Sequence, residues 1–232
     1  MIYYCALCRD LIRKSEQRSC LCSSCYHLIG QSAFYRKTEF SLAYGQKLYP
    51  VFTPFKYSED VRELVLNAKA GKEPASLDAC ASLLLECSDL TVFMRGVSYI
   101  TPAPSSFWSR LKAKADLAVH LAEALSVRYD VPIVWPPMQN YWKLGKSARI
   151  PGEIRRENAK LGSLKKRPWW QGESEDSSVL LVDDVITTGN TLASQIGSRT
   201  EGFKLLAFAS AYKEPNRESD GVKNEPDTDR YE

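Results

Sequence analysis

The chain has 232 residues, of which 44% are hydrophobic, and its formal net charge is +3. This length supports one substantial hydrophobic core with, at most, a small appended module. The net charge is too small to indicate a nucleic-acid-binding protein by itself, so local basic clusters must be judged separately. The first residues lack the pattern of a secretion signal, and no run approaches the roughly 20 apolar residues that cross a bilayer. We therefore expect a soluble, cytoplasmic protein without membrane insertion.

Five of the seven cysteines lie within the first 25 residues. Two CxxC pairs, separated by thirteen residues, account for four of them: Cys5, Cys8, Cys22 and Cys25. This spacing is typical of a zinc ribbon or knuckle, in which two tight turns close a tetrahedron of thiolates around a structural Zn²⁺. Metal binding, on the order of 10 kcal/mol, folds a segment that is too small for its own hydrophobic core. We predict a zinc-binding module over residues 1–30.

Alternatives to this ligand set stay open at the level of sequence. Cys20 could replace Cys22, although a CxC pair is less favourable than two matching turns, and His27 is a weaker candidate. Disulfide pairing is discounted because a chain without a secretion signal is expected to stay reduced. Cys80 and Cys87 lie seven apart in an apolar helical pattern, which indicates core residues.

The next part of the chain, residues 31–95, is predicted to be a connector followed by a helical region. Residues 26–50 are aromatic and mixed in charge, as in a connecting segment. Four apolar residues then recur at helical spacing: Val61, Leu64, Val65 and Ala68. Gly71 and Pro74 predict the end of that helix, and residues 75–90 predict a second, more apolar one.

From residue 96 onward, predicted strands alternate with predicted helices. The strands begin at residue 97, at residue 132, at residue 179 and at residue 204, and the helices cover residues 110–129 and a segment from about residue 191. This alternation predicts an α/β domain over residues 96–212, built as a parallel sheet flanked by helices. Residues 213–232 are polar and nearly free of aliphatic side chains, which indicates a disordered tail.

The segment VLLVDDVITTGNTL, residues 179–192, joins four aliphatic residues to two acids and a run of small polar residues. The aliphatic run is typical of a strand covered on both faces of a parallel sheet, and such sheets bind ligands beyond the carboxyl ends of their strands. Asp183 and Asp184 follow at that end, and residues 186–191 offer hydroxyls, a glycine and a helix start that can hold a phosphate. Carboxylates would repel that phosphate unless they accept hydrogen bonds from sugar hydroxyls or hold a divalent cation. The segment therefore predicts a site for a ribose phosphate with Mg²⁺, whereas an ordinary helix start would need only one capping oxygen.

This segment closely resembles the signature of type I phosphoribosyltransferases, which bind phosphoribosyl pyrophosphate (PRPP). The resemblance implies that Asp183 and Asp184 contact the 2- and 3-hydroxyls of the ribose and act in catalysis. It also implies that the loop after them surrounds the 5-phosphate, through Thr187, Thr188, Gly189, Asn190 and Thr191.

Together with the cysteine pairs, the signature is similar to the ComF family, also called the amidophosphoribosyltransferase-like or GntX family. Two further stretches resemble that family more loosely: FKYSEDVRELVLNAKAGKE, and ARIPGEIRRENAKLG with Arg155 and Asn158. The resemblance implies a type I phosphoribosyltransferase fold with an N-terminal zinc finger, and an association with natural competence and DNA uptake. Competence proteins and single-stranded DNA are then expected partners.

One stretch departs from the family pattern. After VSYITPAP the family usually has a basic loop that ends in Gly-Phe-Asn-Gln and lies where pyrophosphate binds, but this chain reads SSFWSRLKAKADLAVHL. Arg110, Lys112 and Lys114 are candidate pyrophosphate partners, while the glycine position is Ala115. Positions two apart do not share one face of a helix, so the three cations would not all approach one ligand from a helix. Solvated side chains on a helix surface explain them equally well. Binding of PRPP is expected to survive this change better than turnover.

Three functions stay open at this point. A phosphoribosyltransferase, a pentosyl-transferring glycosyltransferase, would displace pyrophosphate from the anomeric carbon of PRPP with Mg²⁺ bound. A non-catalytic protein could sense PRPP with the same loop. A single-stranded nucleic-acid-binding protein could use residues 143–167, which hold nine lysines and arginines against two glutamates and are flanked by Trp142, Trp169 and Trp170. The same segment could instead form a basic hood over PRPP, an interpretation favoured for Arg155 and Arg156, whereas Lys165, Lys166 and Arg167 fit either function.

Overall fold

The computed structural model describes residues 2–13, 19–33, 39–44, 47–71, 74–103, 115–135, 178–187 and 202–211. Within these ranges, none of the helices combines the length and the apolar character that crossing a bilayer demands.

A six-stranded sheet forms the centre of the described structure. Its strands are β3 (Glu39–Tyr44), β4 (Lys47–Phe52), β5 (Phe55–Lys56), β6 (Val97–Pro102), β7 (Ser178–Ile186) and β8 (Phe203–Ser210). The hydrogen-bonded order is β3-β4-β8-β7-β6, and β5 pairs with the end of β8. The pairings of β8 with β4, β5 and β7 and that of β6 with β7 are parallel, whereas β3 runs antiparallel to β4 at one edge.

The path of the chain across the sheet reverses at β6. Helix α5 (Leu117–Tyr129) follows β6, and after it Ile133 pairs in parallel with Ile100 of β6. Ile100 donates its N–H to Pro132 and accepts from Val134, so this segment lies along the edge of β6 opposite to β7. The chain then returns to β7 on the other side. Parallel sheets bind ligands at such a reversal, in the crevice outside the carboxyl ends of the two strands.

Helices cover one face of the sheet. They are α2 (Glu59–Ala70), α3 (Pro74–Leu85), α4 (Leu90–Phe93) and α5. The apolar stripe of α2 is buried in the same cluster as Leu180 and Val182 of β7, while Val179 and Leu181 belong to a second buried cluster. Successive side chains of a strand point to opposite faces, so β7 is covered on both sides, as its aliphatic run predicted.

The N-terminal module packs onto the helices of the α/β domain. It consists of the antiparallel strands β1 (Ile2–Tyr4) and β2 (Leu11–Arg13) and helix α1 (Ser23–Gln31). Its buried Leu21 and Ile29 lie in the same apolar cluster as α2 and α3. The predicted fold class, an α/β parallel sheet flanked by helices with a small cysteine module in front, is confirmed. The predicted boundaries at residues 30, 95 and 212 stay predictions.

The structure differs from the predicted elements at three places. Residues 26–50, predicted to be a connecting segment, contain most of α1, the whole of β3 and the first part of β4. The backbones of β3 and β4 pair with each other, and β4 joins the sheet through the pairing of Val51 and Phe52 with β8, a long-range contact that local periodicity does not show. Pro74 begins α3 instead of only ending α2, since proline fits the first turn of a helix, where its missing N–H has no partner to lose. In the helix predicted over residues 110–129, the described part starts at Leu117 behind the N-cap Asp116.

Candidate functional site

Strand β7 extends beyond the carboxyl end of β6 and carries both aspartates there. The last pair between the two strands is Pro102 with Val182, and Ala103 N–H donates to the Val182 carbonyl at 2.6 Å. Pairing with β8 continues to Ile186. The aliphatic pattern placed the strand's end at Val182, but the backbone stays extended through Ile186 because β8 still supplies partners. The acid pair therefore lies at the crevice where the chain reverses.

The two carboxyl groups are held in different ways. Asp184 donates its backbone N–H to Asp183 Oδ1 at 2.8 Å. Asp184 Oδ2 lies 2.7 Å from Nζ of Lys69, which belongs to the last turn of α2. The side chain of Asp184 is 22% exposed and that of Lys69 is 39% exposed, so the ion pair lies at the surface of the crevice.

The pKa of Asp183 is raised to about 7, first by burial and then by the charge of Asp184, while the Asp184 N–H and Lys69 lower it in part. Near neutral pH, Asp183 is thus a mixture of the protonated and ionised forms. Two adjacent acids whose environments differ in this way are typical of sites that handle hydroxyl groups or protons.

The loop expected to hold phosphate is described only at its start. Thr187 follows β7 and is exposed at the carboxyl edge of the sheet. The remaining predicted loop residues, Thr188, Gly189, Asn190 and Thr191, lie outside the described residues, as do the predicted pyrophosphate partners Arg110, Lys112 and Lys114. The basic segment 143–167 and the tail 213–232 also lie outside them. These assignments stay predictions.

The four predicted metal ligands come together at the N-terminus. The Sγ atoms of Cys5, Cys8, Cys22 and Cys25 all lie within 4.8 Å of one another, and this group could hold a metal ion. Cys8 Sγ and Cys22 Sγ are 3.8 Å apart. Sulfur atoms at about 2.3 Å from a tetrahedral Zn²⁺ are about 3.8 Å from each other, so the donor set and its spacing fit zinc. Cys20 and His27 are not part of the group, which supports the predicted choice of Cys22.

The surroundings of these sulfur atoms favour the thiolate at Cys5 but not at Cys8 or Cys25. Burial raises the pKa of the Cys5 thiol, but the N–H groups of Cys22, Leu7 and Cys8 outweigh burial and lower the pKa to about 7. Burial raises the pKa of Cys8 to about 11, and burial together with the neighbouring thiols raises the pKa of Cys25. Four sulfur atoms this close cannot all carry negative charge unless a cation lies between them.

Polar contacts join the cysteine module to α3. Ser76 Oγ, fully buried, donates to the Ala6 carbonyl at 3.1 Å. Tyr26 donates its hydroxyl to Glu86 at 2.6 Å, and Ser19 donates to the same carboxylate. The module is therefore part of the wall of the α/β domain.

Lys69 is the site residue that the sequence prediction did not assign. Its segment resembles a family stretch with an aromatic, a helix and a lysine, but two other lysines lie close by in the sequence, Lys56 before α2 and Lys72 after it. Helical spacing could not select among these lysines, because only the packing of α2 decides which one faces β7. The predicted core position of Cys80 is confirmed by its complete burial, and Cys87 is partly buried.

No protein-family model and no curated protein matches this chain. Among solved structures, the chain is similar to adenine phosphoribosyltransferase from Leishmania tarentolae, with 12% sequence identity and a TM-score of 0.32. The match covers 87% of this chain and 91% of that one. A similarity at this TM-score does not indicate a function. Support for a function therefore has to come from the geometry of the acid pair.

Proposed function

We propose that the carboxyl edge of the sheet binds a ribose phosphate, in the first place PRPP as its Mg²⁺ complex, and that the chain is a phosphoribosyltransferase-like protein of the ComF type. The observation that carries this proposal is the acid pair on β7. Asp183 and Asp184 extend past the end of β6 at the reversal of the chain path, which is where parallel sheets bind their ligands.

The roles proposed for the residues are those that the sequence resemblance implies. Asp183 and Asp184 accept hydrogen bonds from the two ribose hydroxyls, and the loop from Thr187 to Thr191 holds the 5-phosphate through its amides and hydroxyls. The resemblance assigns Arg110, Lys112 and Lys114 to the pyrophosphate. Mg²⁺ arrives with the pyrophosphate of the substrate and neutralises part of its charge.

In the catalytic form of the proposal, the bond from the anomeric carbon to pyrophosphate breaks and a bond to an acceptor forms at the same carbon. The ionised acids stabilise the positive charge that develops on the ribose in this transition state. No covalent intermediate with the protein is required. In the non-catalytic form, the same contacts hold PRPP without an acceptor, and the protein reports its concentration. A zinc ion held by the cysteine group would be structural in both forms.

The test is ligand-induced thermal stabilisation. A ligand present at about 100 times its Kd stabilises the folded state by about 2.7 kcal/mol, which corresponds to roughly 5–10 °C for a chain of this size. We expect this rise in Tm with Mg²⁺ and PRPP for the wild type, and its loss for the Asp183→Asn, Asp184→Asn double variant. The quantity compared between the wild type and the double variant is the ligand-induced rise in Tm, because the substitutions also change the Tm of the unliganded protein. An equal rise in both proteins would remove the acid pair from the site.

Two further measurements complete this test. Asp130→Asn is the matched control, since Asp130 is an exposed carboxylate in a left-handed conformation that asparagine also adopts. Release of pyrophosphate in the presence of ammonia, amines or nucleobases then separates a transferase from a PRPP sensor.

A further inference from the structure

Helix α2 places Lys69 at the acid pair by contacts at both of its ends. At the start, Tyr57 N–H donates to the carbonyl of Ser210, the last residue of β8, at 2.9 Å. At the end, Gly71 takes the left-handed conformation with φ 58° and closes the helix by donating to the Ala68 carbonyl. The helix is thus fixed beside β8 where it begins and reaches β7 where it ends.

The buried face of α2 fixes its rotation. Val61, Leu64, Val65 and Ala68 are completely buried in the main core. Lys69 follows Ala68 directly, so its side chain emerges at the border between this buried face and solvent. The position of its ammonium group is therefore a product of the packed core, and the last turn of a helix is a favourable place for a cation.

The carboxyl groups of Asp183 and Asp184 determine the role of the Lys69 ammonium group. Two carboxyl groups on adjacent residues would attract a divalent cation if nothing else compensated them. Lys69 already lies in contact with one of them, at 2.7 Å from Asp184 Oδ2. A second cation would meet both a compensated carboxylate and the repulsion of the ammonium group. The acid pair therefore remains suited to neutral donors, namely hydroxyl groups.

We propose that Lys69 is a positioning residue that acts as the built-in counter-cation of the acid pair, reserving Asp183 and Asp184 for the hydroxyls of a sugar and excluding a free divalent cation. This inference deepens the proposed function and rests on it for the identity of the sugar. It implies that binding of the ribose part needs no metal and that Mg²⁺ enters only with a pyrophosphate-bearing ligand. Lys69 orients Asp184, and the second oxygen of that carboxylate accepts the ligand's hydroxyl.

The first experiment uses Mn²⁺ alone as the probe, with the zinc-loaded full-length protein and detection by electron paramagnetic resonance. The variants are Lys69→Met, which keeps the length of the side chain and removes its charge, and Lys69→Met combined with Asp184→Asn. We expect no Mn²⁺ at the acid pair of the wild type, a new Mn²⁺ site in Lys69→Met, and its loss in the combined variant. Equal Mn²⁺ binding by the wild type and Lys69→Met would overturn the role of Lys69.

The second experiment measures ribose 5-phosphate binding without divalent cations by calorimetry. We expect the wild type to bind it, Lys69→Met to bind it about tenfold more weakly, and Lys69→Arg to recover most of the affinity, because arginine restores a charged hydrogen bond to the carboxylate. Arg62→Met is the matched control, since Arg62 is an exposed cation on the same helix. A purely structural role for Lys69 would give Lys69→Met and Lys69→Arg the same defect.

The two experiments fail in distinguishable ways. If the wild type binds neither ribose 5-phosphate nor PRPP, the proposed function is wrong, while the Mn²⁺ measurement still reports on the counter-cation role. If the wild type binds both ligands and Lys69→Met binds ribose 5-phosphate equally well, the role of Lys69 is wrong and the proposed function stands.

Discussion

Replacing Asp183 by asparagine is expected to stabilise the protein while removing ligand binding. Asparagine has nearly the same shape and can still accept the Asp184 N–H, but it carries no charge that burial would penalise. The pKa of Asp183 rises from 3.8 to about 7 on folding, mainly because of burial. Each unit corresponds to about 1.4 kcal/mol, so the full shift corresponds to about 4 kcal/mol.

The sign of the effect follows from the direction of this shift. Below pH 3.8 the carboxyl group of Asp183 is protonated in both the folded and the unfolded state, so it does not lower the free energy of unfolding. Between about pH 4 and pH 7 the unfolded chain loses the proton while the folded protein keeps it, so the wild type loses stability as the pH rises. Above pH 7 the penalty is constant. Because Asp183 keeps part of its surface exposed, we expect Asp183→Asn to be more stable by about 2–4 kcal/mol at pH 8 and by less at pH 5.

Urea unfolding of the zinc-loaded protein between pH 5 and pH 8.5 measures this difference. The free energy of unfolding of Asp183→Asn minus that of the wild type should grow by about 2 kcal/mol from pH 5 to pH 8 and then level off. Asp130→Asn, at an exposed carboxylate, should show no such growth. A difference that is the same at every pH, or a variant less stable than the wild type at pH 8, would refute the assignment of Asp183 as a carboxyl group strained by burial.

The remaining predictions concern the cysteine module. Cys22→Ser should reduce the zinc content measured by mass spectrometry, whereas Cys20→Ser should leave it unchanged, since Cys20 lies outside the four-sulfur group; the reverse result would exchange the ligand assignments. Ser76→Ala should lower the free energy of unfolding by about 1–2 kcal/mol, because it leaves the buried carbonyl of Ala6 without its donor. Ser82→Ala on the same helix should change the free energy of unfolding by less than about 0.5 kcal/mol. If both variants lowered it equally, the hydrogen bond from Ser76 to Ala6 would have no stabilising effect of its own.

The unfavourable burial of the Asp183 carboxyl group is what we expect of a ligand-binding acid. A hydroxyl-binding acid has to be desolvated to hold its ligand tightly, and desolvation is what raises its pKa in the unliganded protein. Lys69 forms its ion pair with Asp184 and lowers the pKa of Asp183 only in part. Stability given up at one buried carboxyl group is characteristic of sites that are organised for a ligand before it arrives.

The features that could be predicted from the sequence are those that a short segment determines by itself. The two CxxC spacings predicted that Cys5, Cys8, Cys22 and Cys25 would meet, and their sulfur atoms do lie together. The sequence left Cys20 open as an alternative to Cys22. The aliphatic run of β7 indicated a strand covered on both faces, and the acids directly after it had to lie at its carboxyl end. Local geometry fixes these relations, because chain neighbours cannot move apart.

Only the tertiary structure decided which distant residues complete the site. Nothing in the sequence of α2 sets Lys69 apart from the lysines that precede and follow the helix, and its contact with Asp184 depends on the rotation of α2 in the core. The pairing of Ile133 with the outer edge of β6, which creates the reversal beside β7, is likewise a long-range hydrogen-bonding choice. The raised pKa of Asp183 is also a tertiary effect, since its largest cause is burial, which removes water from a carboxyl group that the sequence shows only as one of two identical acids.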